Sequence, residues 1–156
     1  MLRLIENARF VSCLKPVANA FAGTVYPDGV NLSAHEDVTF VVQKGVGTTG
    51  TTTITVVAGD DASPSNESAV PFYYRRIPSN NITPGALTAA TSSGFTTTAG
   101  SGDTYVIEIN AKALAASGYK YAHLKMVESV ASAVVGSVTA IVTGGRFADN
   151  TTDIVS

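Results

Sequence analysis

Short runs in which apolar and polar side chains alternate constrain the fold of this chain more than any other feature. In residues 51–58, Ile54, Val56 and Ala58 fall on one face of an extended chain. The same period of two recurs in residues 105–110 and 121–127. A strand with one buried face requires this period, because successive side chains point to opposite faces. Helical periodicity is nearly absent, so the sequence predicts an all-β domain.

Clusters of Gly, Pro, Asn, Asp and Ser separate these runs and indicate turns. Further strands are predicted at residues 24–26, 38–43, 70–75, 86–91, 95–98 and 134–143. About eight strands suit a two-sheet β-sandwich. One short helix is predicted over residues 111–116, with Asn110 as its N-cap and Gly118 closing it.

Two segments between strands carry specific expectations. Pro71 cannot donate a ladder hydrogen bond, so the strand over residues 70–75 should begin there or lie at a sheet edge. Residues 44–50 are rich in Gly and Thr and are interpreted as a hairpin loop between residues 38–43 and 51–58.

A chain of 156 residues is long enough for one domain with its own core. Residues 1–22 show no clean period and are predicted to form an N-terminal arm. Residues 23–147 are predicted to be the β-sandwich, and residues 148–156 an extended C-terminal tail. Fraying of both chain ends is the alternative interpretation.

The composition points to lasting contacts with other protein. Charged residues make up 14% of the chain, against roughly 25% in an average soluble domain, and interface cores are depleted in charge. The net charge is −2 and no basic patch is present, so we expect no nucleic-acid partner. No apolar run approaches the roughly 20 residues that span a bilayer. We therefore expect a soluble, unexported chain without a membrane partner.

Residues that could support catalysis or metal binding are few. The chain has two histidines, His35 and His123, and one cysteine, Cys13, so it lacks material for a zinc site, a His-based triad or an intrachain disulfide. His123 is predicted on the polar face of a strand, as a solvated or interface side chain. Asp60 and Asp61, followed by Ser63, Asn66 and Glu67, offer clustered oxygen ligands of the kind that calcium prefers. The EF-hand pattern is missing, so they are interpreted as residues of a polar loop between two strands, with calcium binding as the alternative. We expect no enzyme activity, no catalytic residue, no cofactor and no bound metal.

Three stretches carry a resemblance to a known family: VTFVVQKG at residues 38–45, TTITVVAGDDA at residues 52–62 and AVPFYYR at residues 69–75. GDTYVIEI at residues 102–109 extends it. Over roughly residues 37–147 the chain resembles the jelly-roll decoration, or cement, proteins of tailed-phage heads. The resemblance implies a jelly-roll sandwich, a homotrimer, the major capsid protein as partner and a place on the capsid surface of the virion. Strand periodicity leaves an immunoglobulin-like sandwich open as well.

Interface residues are predicted from residue type, because Tyr and Arg are enriched at binding hot spots. The candidates are Leu4, Ile5, Phe10 and Leu14 in the predicted arm, together with Tyr73, Arg75, Arg76 and Tyr119. Two alternatives to decoration remain open. One is another virion component, such as a head–tail connector or a tail-surface protein. The other is a carbohydrate-binding sandwich that stacks sugars on Tyr73 and Tyr119, although the chain has no Trp.

Overall fold

A computed structural model describes residues 4–63, 65–80, 83–100, 102–145 and 154–155. The strands are β1 Ala8–Val17, β2 Thr24–Val25, β3 Gly29–Asn31, β4 Asp37–Lys44, β5 Thr51–Gly59, β6 Glu67–Val70, β7 Phe72–Ile77, β8 Thr88–Ala90, β9 Phe95–Thr96, β10 Thr104–Asn110, β11 Tyr121–Val130, β12 Gly136–Thr143 and β13 Ile154–Val155. The helices are α1 Leu4–Asn7 and α2 Ala111–Ala115.

The strands form two antiparallel sheets. The front sheet has six strands in the order β1-β12-β4-β10-β7-β8. The back sheet has the order β13-β3-β11-β5-β6, with β2 also pairing with β11 and β9 with β5. The set β1-β12-β4-β10 faces the set β3-β11-β5-β6, and the chain crosses repeatedly from one set to the other. This is the strand order of a jelly roll, so the predicted all-β, two-sheet sandwich of jelly-roll type is confirmed.

The core lies between the sheets and follows the predicted alternation. In β4 the inward residues Val38, Phe40 and Val42 are fully buried. The inward residues of β5, β10, β11 and β12 are buried as well, and they meet those of the opposite sheet in one cluster. Sheets packed face to face lie about 10 Å apart, which these side chains fill.

The N-terminal segment differs from the predicted arm. Residues 8–17 form β1, which pairs along its length with β12 and closes one edge of the front sheet. Val11 and Cys13 point inward and are buried. The register shifts between Ser12 and Leu14 and again before Val17. These irregularities disturb the alternation that a regular strand would show, and Pro16 adds a residue that is rare in strands.

The segment around Pro71 is divided between the sheets. β6 ends at Val70 in the back sheet and β7 begins at Phe72 in the front sheet. The expectation that a strand begins at Pro71 therefore holds to within one residue. Residues 44–50 do not form a hairpin, because β4 lies in the front sheet and β5 in the back sheet. They connect the two sheets across one end of the sandwich.

The chain ends and the predicted helix complete the fold. α2 begins as predicted, with the Asn110 side chain accepting a hydrogen bond from the amide of Lys112 at 2.8 Å. Gly118 has a φ of +83°, as a helix-terminating glycine requires. In the predicted tail, Ile154–Val155 forms β13 and pairs with β3. Residues 148–153 and 156 of that tail lie outside the described residues.

Candidate functional site

His123 is buried, so the predicted solvated or interface position is wrong. The residue lies on the outward face of β11, as the alternation predicted, but only 1% of it is exposed. The loop after β5 covers it, and its Nε2 donates to the backbone oxygen of Asp61 at 2.9 Å. Gly29 lies against the imidazole, where any Cβ would overlap the ring. Burial lowers the pKa of His123, so the neutral ring is favoured.

The other candidate chemical groups are placed as follows. Cys13 is buried and desolvation raises its pKa to about 12, so its thiol stays protonated and unreactive. In the loop after β5, Asp60 Oδ2 accepts from Asn66 at 2.9 Å, which lowers the pKa of Asp60. Within the described part of the chain, no three His, Cys, Asp or Glu side chains converge as metal ligands would.

No described helix is long and apolar enough to cross a membrane.

The outward surface of the front sheet, called here the front face, brings together residues that are distant in sequence. Strand pairing aligns one row across all its strands: Phe10, Ile141, Thr39, Glu108, Tyr73 and Ala89. The next row is Ser12, Thr139, Val41, Val106 and Arg75. Flanking rows add Thr143, Asp37 and Asn110 on one side, and Ser137, Gln43, Thr104 and Ile77 on the other.

The front face is poor in charge. Its charged side chains are Asp37, Glu108 and Arg75, and the remaining positions are threonine, serine, amide or apolar residues. Glu108 and Arg75 form no ion pair with any residue in the described ranges. Phe10 is 49% exposed and Tyr73 is 57% exposed. Exposed aromatic rings, an Arg without an ion pair among the described residues and few charges are features of protein–protein interface cores, whereas the many Ser and Thr positions are not.

The predicted interface residues fall into three groups. Phe10, Tyr73 and Arg75 all lie on the front face, with Phe10 on β1 and the other two on β7, four strands away. Leu4 and Ile5 lie in α1, which contacts β1, and both are exposed. The remaining three are engaged within the sandwich: Leu14 and Tyr119 pack against the core, and Arg76 pairs with a buried carboxylate.

That carboxylate, Asp103, organises a buried polar cluster that the sequence did not reveal. Its Oδ2 accepts from Arg76 Nε at 2.8 Å and its Oδ1 from the Ser79 amide at 3.1 Å. Tyr105 donates its hydroxyl to Asp103 at 3.4 Å. Lys44, only 3% exposed, donates to the carbonyl oxygens of Thr98 and Gly50. Burial lowers the pKa of Lys44, and Asp103 partly offsets that effect. The cluster holds three connecting segments together at one end of the sandwich.

A groove of about 380 Å³ opens at the edge of the front face, between β7, β8, β10 and the start of α2. Its walls include Pro71, Tyr73, Ala89 and Ala113, and the carboxylates of Asp37 and Glu108 also line it. Asp37 Oδ1 accepts from Asn110 Nδ2 at 2.7 Å. The groove is therefore largely apolar with an acidic edge.

Comparison with known proteins gives one informative structural likeness. No protein-family model matches the chain. No curated protein matches it. The crystal structure of the SPBc2 prophage-derived protein YomS matches with a TM-score of 0.50 and 11% identity, over 88% of this chain and 94% of that one. This likeness shows that the two share a fold. A chain in the structure of infectious bursal disease virus, Gx strain, has 12% identity and a TM-score of 0.23 over 88% of this chain and 40% of its own length.

Proposed function

We propose that this protein is a structural component of a tailed-phage particle, a decoration protein that binds the major capsid protein on the outside of the head and stabilises the shell. The observation that carries the proposal is the front face, where Phe10, Tyr73 and Arg75 lie on the same side of one charge-poor sheet. The jelly-roll strand order agrees with the family resemblance of residues 37–147. The prophage origin of YomS agrees with a phage origin for this chain.

The size of the front face indicates how docking would work. Six strands spaced about 4.8 Å apart make it about 24 Å wide, and four rows about 6.8 Å apart make it about 20 Å long. The grid of Cα positions therefore covers about 480 Å², and the side chains that project from it extend the accessible area toward the roughly 800 Å² per partner of a stable complex. The exposed Leu4 and Ile5 of α1, beside β1, add apolar surface.

Assembly as a homotrimer would raise the affinity further. Three front faces carried by one trimer bind an oligomeric shell together, and linked binding events strengthen one another without new contacts. A partner that binds only the assembled shell stabilises it by RT ln(1 + [L]/Kd), about 2.7 kcal/mol at a hundredfold excess over Kd. The proposed mechanism is this linkage, without any chemical step.

The test is binding of the purified protein to undecorated heads, with its mass measured by light scattering on the same sample. Val41→Lys places a charge at the centre of the front face, where we expect head binding to fall at least tenfold. Val127→Lys is the matched control, because Val127 is 40% exposed on the back sheet. The proposal is supported if the wild type is a trimer that binds heads at high copy, if Val127→Lys binds them as well, and if Val41→Lys does not. A monomer that ignores heads overturns it.

Copy number separates decoration from the other virion roles. Hundreds of copies per particle are expected for a decoration protein. A dozen or fewer, measured by quantitative gel densitometry of purified particles, would instead identify a head–tail connector or a tail component.

A further inference from the structure

The groove at the edge of the front face has a chemistry that selects one kind of occupant. Glu108 lies directly opposite Tyr73 in the β10–β7 ladder, and directly opposite Thr39 in the β10–β4 ladder. Asp37 is two residues before Thr39, so Glu108 and Asp37 are diagonal neighbours, with Cα atoms about 7–8 Å apart. An exposed aromatic ring and two carboxylates therefore border the same apolar groove.

The carboxylates of the groove form no ion pair with the described residues, and Arg75, which lies diagonally from Glu108 in the β10–β7 ladder, is not bonded to it. Glu108 has no ion-pair partner in the described part of the chain, and the one hydrogen bond to the Asp37 carboxylate comes from the neutral amide of Asn110. None of the described residues that line it is a Lys or an Arg. A cation with an apolar stem would place its charge at the carboxylates and its stem along Pro71 and Ala113.

We propose that this groove binds an arginine side chain presented by the protein on which the front face docks. The inference rests on the proposed function, because it names the chemistry of the partner at that same surface. Arginine fits better than lysine for two reasons. Its planar guanidinium can stack on Tyr73, and its fork of N–H donors can reach both carboxylates at once. A sugar could also stack on Tyr73 and donate hydroxyl groups to the carboxylates, but it brings no positive charge to offset theirs.

The inference is tested with a small probe and no capsid. The ¹⁵N-labelled full chain is titrated with N-acetyl-arginine methylamide, and in parallel with the norleucine analogue and with methyl glucoside. We expect saturable shifts of the backbone amides of Tyr73, Glu108 and Asn110 with the arginine probe only. Glu108→Gln should weaken that binding at least about threefold, and 0.5 M salt should weaken it as well.

Glu36→Gln is the matched control, because it removes an exposed carboxylate one residue from Asp37 but outside the groove lining. It should leave probe binding unchanged. Binding of the glucoside instead of the arginine probe, or no binding of either, overturns the inference. The same variants in the head-binding assay separate the two proposals. If the wild type binds heads and Glu108→Gln binds them equally well, the groove inference fails and the decoration proposal stands. If the wild type ignores heads, the decoration proposal fails, whatever the probe shows.

Discussion

The polar cluster around Asp103 gives the sharpest test of what holds the sandwich together. Asp103 is 4% exposed and accepts hydrogen bonds from the Arg76 guanidinium, the Ser79 amide and the Tyr105 hydroxyl. Its charge also offsets that of the buried Lys44. We expect Asp103→Asn to lower the free energy of unfolding by about 2–3 kcal/mol at pH 7.

The magnitude follows from what asparagine keeps and what it loses. The two side chains are nearly equal in size, so no cavity forms, and the amide oxygen can still accept one hydrogen bond. A charge-assisted hydrogen bond is about twice as strong as a neutral one, so the bond from Arg76 loses about 1 kcal/mol. Breaking a fully buried pair costs about 3–5 kcal/mol. The Arg76 side chain is 41% exposed, so water replaces part of that interaction and the lower range applies.

Urea unfolding followed by far-ultraviolet circular dichroism measures the loss, because the chain has no Trp for fluorescence. A loss of 2–3 kcal/mol corresponds to a melting temperature lower by roughly 4–12 °C for a domain of this size. The exposed Glu36→Gln variant should match the wild type. The double variant Lys44→Met/Asp103→Asn should lose less stability than the sum of the losses of the two single variants. The reason is that each substitution removes a charge that compensates the other. An Asp103→Asn variant within 0.5 kcal/mol of the wild type would refute this reasoning.

Two further predictions concern the back sheet. Because burial places the pKa of folded His123 below its ordinary value of 6.5, the folded state resists protonation. The contribution of neutral His123 to the free energy of unfolding is complete above pH 6.5. It is lost as the pH falls through the folded pKa, by up to about 1.4 kcal/mol per pH unit. Urea titrations between pH 7.5 and 4.5 should therefore show a shallower decline for His123→Gln than for the wild type, and parallel curves would contradict this. Gly94 has a φ of +74°, and an added Cβ would overlap the carbonyl oxygen of Ile54, so Gly94→Ala should lower the free energy of unfolding by at least about 2 kcal/mol in the same assay. Gly100 has a φ of +97° but open space around it, so Gly100→Ala should cost only about 1–2 kcal/mol. Equal losses for the two glycine variants would show that the contact with Ile54 is relieved at little cost.

Alternation predicted the core because it is a local property of each strand. Ile54, Val56 and Ala58 face inward in β5, as Ile107 and Ile109 do in β10. The same rule misjudged His123, since an outward side chain is exposed only if no loop crosses it. The loop that covers His123 returns from β5, more than 60 residues earlier, and its contact through Asp61 has no signature in the sequence around the histidine.

Strand partners could not be predicted, because pairing depends on distant segments. β1 pairs with β12, at the other end of the chain, and its register shifts hide its period. For the same reason residue type identified Phe10, Tyr73 and Arg75 as interface candidates but could not place them on one surface. Arg76 has the same residue type as Arg75, yet it points to the opposite side of β7 and pairs with Asp103. Alternation places these two neighbours on opposite faces, but only the strand order shows which of the two faces meets Asp103.

The two outer surfaces of the sandwich differ in how their charges are satisfied, and this difference favours the front face as the docking surface. On the back sheet, Lys125 Nζ lies 2.5 Å from Glu67 Oε1 and above the ring of Tyr26, which raises the pKa of Lys125 to about 12. A partner there would have to break interactions that the protein already makes. On the front face, Arg75 and Glu108 have no such partners among the described residues. Docking on that side would break no ion pair of Arg75 or Glu108 among the described residues, so the energetic cost of binding is lower there.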